Sequence, residues 1–71
     1  MKLSEYVRQQ RKQYHLTQTE LAERAGVGLR FIRELEHDKA TLRMDKVNTL
    51  LALFGQQLGP VPMKPEESDD A

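Results

Sequence analysis

Arg30 and Arg33 stand three residues apart in a segment whose apolar residues Leu29, Ile32 and Leu35 recur at helical spacing. A helix there sends the apolar side chains to one face and leaves the arginines off it. Each guanidinium offers a rigid fork of N–H donors that fits a phosphate, or the O6 and N7 atoms of guanine. Glu34 can accept from cytosine N4, although a solvated pairing with its arginine neighbours is the plainer reading. Gln18 and Thr19 open another helical segment, where free backbone N–H groups attract anions. Lys39, Thr41 and Arg43 follow the arginine helix in a polar connection and suit phosphate anchoring. Lys12, Arg24 and Lys46 have no such context and read as solvated charges.

Other chemistry is poorly provided for. The chain has 71 residues and no cysteine, so it offers neither a thiolate ligand nor a cysteine nucleophile. His15 and His37 lack a second His or Cys at metal-ligand spacing, and no glycine-rich phosphate loop is present. Neither an enzyme, a cofactor nor a metal is expected. The longest apolar run, residues 50–54, is far short of the roughly 20 residues that span a bilayer. Residues 1–15 lack a signal-peptide stretch. A cytoplasmic protein with no membrane partner is the expectation.

A net charge of zero hides an uneven distribution. Residues 1–59 hold ten Lys and Arg against seven Asp and Glu, an excess of three. Residues 60–71 hold Lys64 against Glu66, Glu67, Asp69 and Asp70, a deficit of three, together with Pro60, Pro62 and Pro65. The expected organisation is therefore one small domain over 1–59 and a disordered acidic tail over 60–71.

Four helices must position these charges. Leu3, Tyr6, Val7 and Tyr14 mark an imperfect stripe over residues 4–14. Thr17 with Glu20 three residues on has capping-box spacing, so a second helix starts at Gln18; Leu21, Ala22 and Ala25 supply its buried face, and Gly26 closes it. The third covers about 29–37 and the fourth about 43–54, the latter ended by Gly55. Leu16, Leu21, Ala22, Val27, Ile32, Leu35, Leu42, Val47, Leu50 and Phe54 are the expected core. Phe31 has three roles open to it: packing against a neighbouring helix, touching a thymine methyl, or facing a second protein. The tight Ala25-Gly26-Val27-Gly28 turn between the second and third helices makes a helix-turn-helix or a generic small bundle. In a helix-turn-helix the start of the second helix meets the major groove, which makes Gly28, Leu29, Arg30, Arg33 and Glu34 the candidates for base contact, Arg30 foremost.

Arg11, Leu16-Thr17-Gln18-x-Glu20-Leu21-Ala22, Ala25-Gly26-Val27, Ile32, Leu35-Glu36 and Lys39 together resemble the Xre/Cro/CI family of helix-turn-helix repressors over about residues 3–55. That resemblance implies an all-α, four- or five-helix lambda-repressor-like domain that binds double-stranded operator DNA. It implies a phosphate contact for Gln18 and a structural ion pair between Arg11 and Glu36. The stretch Gly28–Glu36, with Lys39 and Leu51-Ala52-Leu53-Phe54-Gly55, is similar to the HipB-like antitoxins, which repress their own operon and bind a HipA-type kinase toxin. Symmetric operators imply a homodimer. Its expected contacts are Leu53, Phe54, Leu58 and Val61, with a short strand at 56–61 paired between chains. The rival reading is a protein-interaction module that neutralises or scaffolds a partner, with DNA binding secondary; a stand-alone regulator of the same family is another.

Overall fold

A computed structural model describes residues 2–61. Four helices follow in chain order: α1 (Leu3–Gln13), α2 (Gln18–Ala25), α3 (Leu29–Glu36) and α4 (Met44–Ala52). No strand occurs among the described residues. The acidic segment 62–71 lies outside them, so the tail assignment concerns residues not described here.

Local bonds set both ends of α2 and the end of α4. The Glu20 N–H donates to Thr17 Oγ1 (3.1 Å) and the Thr17 N–H donates to Glu20 Oε1 (2.8 Å), so two otherwise free donors at the α2 N-terminus are satisfied reciprocally. The Thr17 N–H first, and the nearby Thr17 hydroxyl second, stabilise the ionised Glu20 carboxylate and hold it below its ordinary range. Gly26 closes α2 in the left-handed region at φ 72°, and the Val27 N–H then reaches back to the Ala22 carbonyl (3.0 Å). α4 is shorter than the apolar pattern predicts. After Ala52 the chain tightens into i→i−3 bonds, Phe54 N–H to Leu51 and Gly55 N–H to Ala52, and Gly55 at φ 71° turns it away.

The core draws on all four helices. Val7 of α1, Leu21 of α2, Ile32 and Leu35 of α3, and Leu50 of α4 are its largest fully buried side chains. Ala22, Ala25, Phe31, Val47 and Leu51 complete it, with Leu16, Val27, Leu42 and Phe54 half-buried at its edge. α3 packs against both α1 and α2, which fixes its orientation. Phe31 is a core residue, 8% exposed. Its ring lines a cleft together with Lys39, Thr41 and Leu42 of the α3–α4 connection.

Residues 56–61 run irregularly in the single chain, and the Leu58 N–H donates to Asn48 Oδ1 of α4 (2.7 Å). Phe54 stacks on Tyr14 (ring centroids 5.9 Å) and meets Tyr6 edge-on (6.4 Å). Much of its ring is thus used within the chain, while Leu53, Leu58 and Val61 remain exposed.

Candidate nucleic-acid interface

α3 is bound to the rest of the domain on one face by charge as well as by apolar packing. Arg11 donates to Glu36 through Nε (2.8 Å to Oε2) and Nη2 (3.1 Å to Oε1), and through Nη1 to the Leu16 carbonyl (2.9 Å). Gln18 Nε2 adds a third donor to Glu36 (3.2 Å). The Glu36 side chain is only 2% exposed, so one buried carboxylate ties α1, the start of α2 and the end of α3 together. No polar side-chain atom is buried without a partner among the described residues. Gln18 therefore sits at the α2 N-terminus with its amide nitrogen committed inward.

The opposite side of α3 is cationic and open. Gly28, Arg30, Lys39, Thr41 and Arg43, all singled out from sequence, line one cleft of about 320 Å³. Phe31 and Leu42 form its apolar floor, and Glu34 and Lys46 complete the wall. Lys46 lies in the first turn of α4, three residues after the N-cap Arg43; by its sequence context alone it reads as a solvated lysine. Gln18, Thr19, Leu29 and Arg33 do not line this cleft. Thr19 and Arg33 are exposed, and Leu29 is half-buried against the core.

Most cations of the cleft are engaged by carboxylates. Glu34 Oε2 accepts from Lys39 Nζ (3.0 Å) and lies 3.5 Å from Arg30 Nε. Arg43 forms a fork on Asp45, Nη2 to Oδ2 at 2.6 Å and Nε to Oδ1 at 3.1 Å. The Lys39 hydrogen bond is the chief reason that the Glu34 carboxyl is held below its ordinary range, and the Arg43 hydrogen bond does the same for Asp45. Arg30 itself is almost wholly exposed, with 92% of its side chain in solvent. Arg33 and Lys46 have no ion pair among the described residues. The cleft thus offers guanidinium and ammonium groups that an outside anion can reach by exchange with surface carboxylates.

A second reach across the fold joins Ser4 to Asp38. The buried Ser4 hydroxyl donates to Asp38 Oδ1, and Asp38 holds the left-handed region at φ 59°. The contact pins the α3–α4 connection beside the cleft. Its two residues are 34 positions apart, and nothing local in the sequence signals it.

Two consecutive short helices, α2 and α3, joined by a tight glycine turn and leaving the start of the second one exposed, make a helix-turn-helix module. Residues 7–59 match the helix-turn-helix family HTH_3, and the chain belongs to that family. It is also similar to the uncharacterized HTH-type transcriptional regulator y4mF of Sinorhizobium fredii, with 51% identity over 49 residues. The match covers 69% of this chain and 64% of that relative, so it spans less than two thirds of the relative's length. No solved structure matches. Among the described residues no helix is long and apolar enough to cross a membrane, and no group of three or more His, Cys, Asp or Glu side chains is placed to hold a metal ion.

Proposed function

We propose that the protein is a sequence-specific DNA-binding transcriptional regulator in which the exposed start of α3 enters the major groove. The observation that carries this reading is the cleft of Arg30, Lys39, Arg43 and Lys46 beside that helix. In this arrangement Arg30 and Arg33 read base edges, while Lys39, Thr41 and Arg43 anchor the neighbouring phosphates, with Gln18 and Thr19 at the α2 N-terminus beside the backbone. The decisive test is a fluorescence-anisotropy titration of the wild type and Arg30→Ala against the duplex upstream of the protein's own gene, with scrambled duplex as competitor. Tight, competitor-resistant binding that the variant loses is the expected result; equal weak binding to both duplexes overturns it.

A homodimer suits this function, because symmetric half-sites lie about 34 Å or a multiple apart. Exposed Leu53, Leu58 and Val61, with the outer edge of Phe54, are its contact surface, and pairing of residues 56–61 between chains requires the Leu58 N–H to leave Asn48. Sedimentation at micromolar protein is expected to give twice the mass of a single chain.

The narrower reading is a HipB-like antitoxin that represses its own operon by occupying the promoter and binds a HipA-type kinase toxin. It rests on the resemblance of Gly28–Glu36, Lys39 and Leu51–Gly55. Co-purification with the neighbouring gene's product, followed by loss of that product's kinase activity, tests it.

A further inference from the structure

Glu34 is the one acidic side chain lining the cationic cleft beside α3, and it is a costly residue to present to a phosphate backbone. Its Oε2 atom is shared: Lys39 Nζ lies 3.0 Å away and Arg30 Nε 3.5 Å away. Both cations come from outside its own helical turn, Arg30 from one turn earlier and Lys39 from the connection after α3. Direct repulsion is therefore only part of its effect. While Glu34 holds Lys39 by a hydrogen bond and draws on Arg30, a phosphate gains either cation only by weakening that contact.

We propose that Glu34 is a positioning residue for sequence specificity: it holds Arg30 and Lys39 away from indiscriminate phosphate contact and yields them only where a base edge satisfies its own carboxylate. This deepens the DNA-binding reading and rests on it. A phosphate that takes Lys39 or Arg30 leaves Glu34 facing a second anion, with no donor in return. A major-groove edge behaves differently. Guanine offers O6 and N7 to the Arg30 fork, and the amino group of cytosine N4 or adenine N6 offers a donor to the carboxylate. At such a site Arg30 and Glu34 each exchange one partner for another, and Lys39 is released to a neighbouring phosphate; on a random backbone the carboxylate gains no donor. Glu34 is ionised at neutral pH as any carboxylate of ordinary affinity is, so the contact to both cations is in place when DNA arrives.

The test uses the intact protein and two probes, the duplex upstream of its gene and a mixed-sequence duplex of the same length. Glu34→Gln keeps the shape and removes the charge. Glu23→Gln, on an exposed α2 residue outside the cleft, makes the same change in net charge. At 50 mM salt Glu34→Gln is expected to bind the mixed duplex about tenfold tighter than wild type, with the slope of log K against log salt steeper by about one, as one more phosphate is neutralised. The preference for the upstream duplex falls correspondingly, and Glu23→Gln changes either affinity less than about twofold. In an Arg30→Ala, Lys39→Met background the Glu34→Gln gain is expected to vanish, because the residue acts through those two cations. Equal gains from Glu34→Gln and Glu23→Gln, no gain from Glu34→Gln, or a gain that survives in the doubly substituted background each overturn the proposal while leaving DNA binding intact. Failure of wild type and Glu34→Gln alike to bind either duplex at 50 mM salt overturns the DNA-binding reading itself.

Discussion

Two glutamates of α3, Glu34 and Glu36, each bind an arginine from opposite sides of one helix. Glu36 is almost fully buried and accepts from Arg11 twice and from Gln18 once. Glu34 keeps 28% of its side chain in solvent and shares one oxygen between Arg30 and Lys39. The residue type is the same and the partners are similar; solvent makes the difference. In the buried cluster the Glu36 carboxylate has almost no water as an alternative partner, so losing the contact is costly and its role is to hold three helices together. In the exposed cluster water and salt compete at every moment, so the contact adds little stability and is free to be exchanged for a ligand. A domain this small thereby keeps its scaffold and its interface on the same short helix.

Glu36→Gln is the largest perturbation this comparison predicts. It leaves Arg11 buried against a neutral side chain, and stranding one partner of a buried pair costs roughly 3–5 kcal/mol. Urea denaturation is expected to show most of the stability of a domain of this size gone, whereas Glu34→Gln leaves the urea midpoint essentially where it was. A similar loss from both substitutions breaks the division between scaffold and interface.

Arg30→Ala comes next and acts on the other side. With its side chain almost entirely in solvent it carries little folding energy, so the thermal midpoint stays unchanged while discrimination for the operator falls by about 1–3 kcal/mol, the value of one bidentate base contact. Competition anisotropy reads the fall, and a thermal melt of the same sample checks the fold.

Thr17→Ala removes a hydroxyl that caps α2 and costs about 1 kcal/mol. Because α2 begins at Gln18, whose amide reaches Glu36, the loss is expected to fall on the buried cluster, with the mixed-duplex affinity little changed. Denaturant titration and anisotropy on one preparation separate the two.

What the sequence made legible divides along the same line. The Thr17–Glu20 spacing and Gly26 predicted the ends of α2 because caps are local: the atoms that satisfy one another lie within a few residues. The apolar period likewise located Leu21, Ile32, Leu35 and Leu50 at the centre. Phe31 was ambiguous because periodicity does not say how far a large ring can reach under a connection. Arg30, Lys39, Thr41 and Arg43 could be singled out from their places in the sequence, but Lys46 could not be joined to them, since that depends on where α4 lies against α3. Ser4 with Asp38 was further out of reach, because a contact across 34 residues leaves no periodic trace.

Removal of residues 62–71 takes away Glu66, Glu67, Asp69 and Asp70 with Lys64, so the net charge rises by three. Reduced repulsion is expected to tighten binding to mixed-sequence duplex about two- to threefold at low salt and to have no effect at 0.5 M, where the Debye length is only a few ångströms. An unchanged low-salt affinity sets the tail apart from the interface.

The smallest effect is the acid dependence of the exposed carboxylates. Glu34 is held below its ordinary range first by the Lys39 hydrogen bond, and Asp45 by that from Arg43. A carboxyl that binds its proton less readily folded than unfolded stabilises the fold above its unfolded pKa, and the contribution disappears as pH falls through the folded value. Both groups are solvated, so the dependence is shallow and salt-sensitive. Between pH 6 and pH 3, Glu34→Gln is expected to lose slightly less stability than wild type, and the difference is expected to close in 0.5 M salt because screening weakens the exposed pair it removes. Should the difference persist undiminished in high salt, Glu34 is shielded from solvent as Glu36 is, and the two carboxylates of α3 are alike after all.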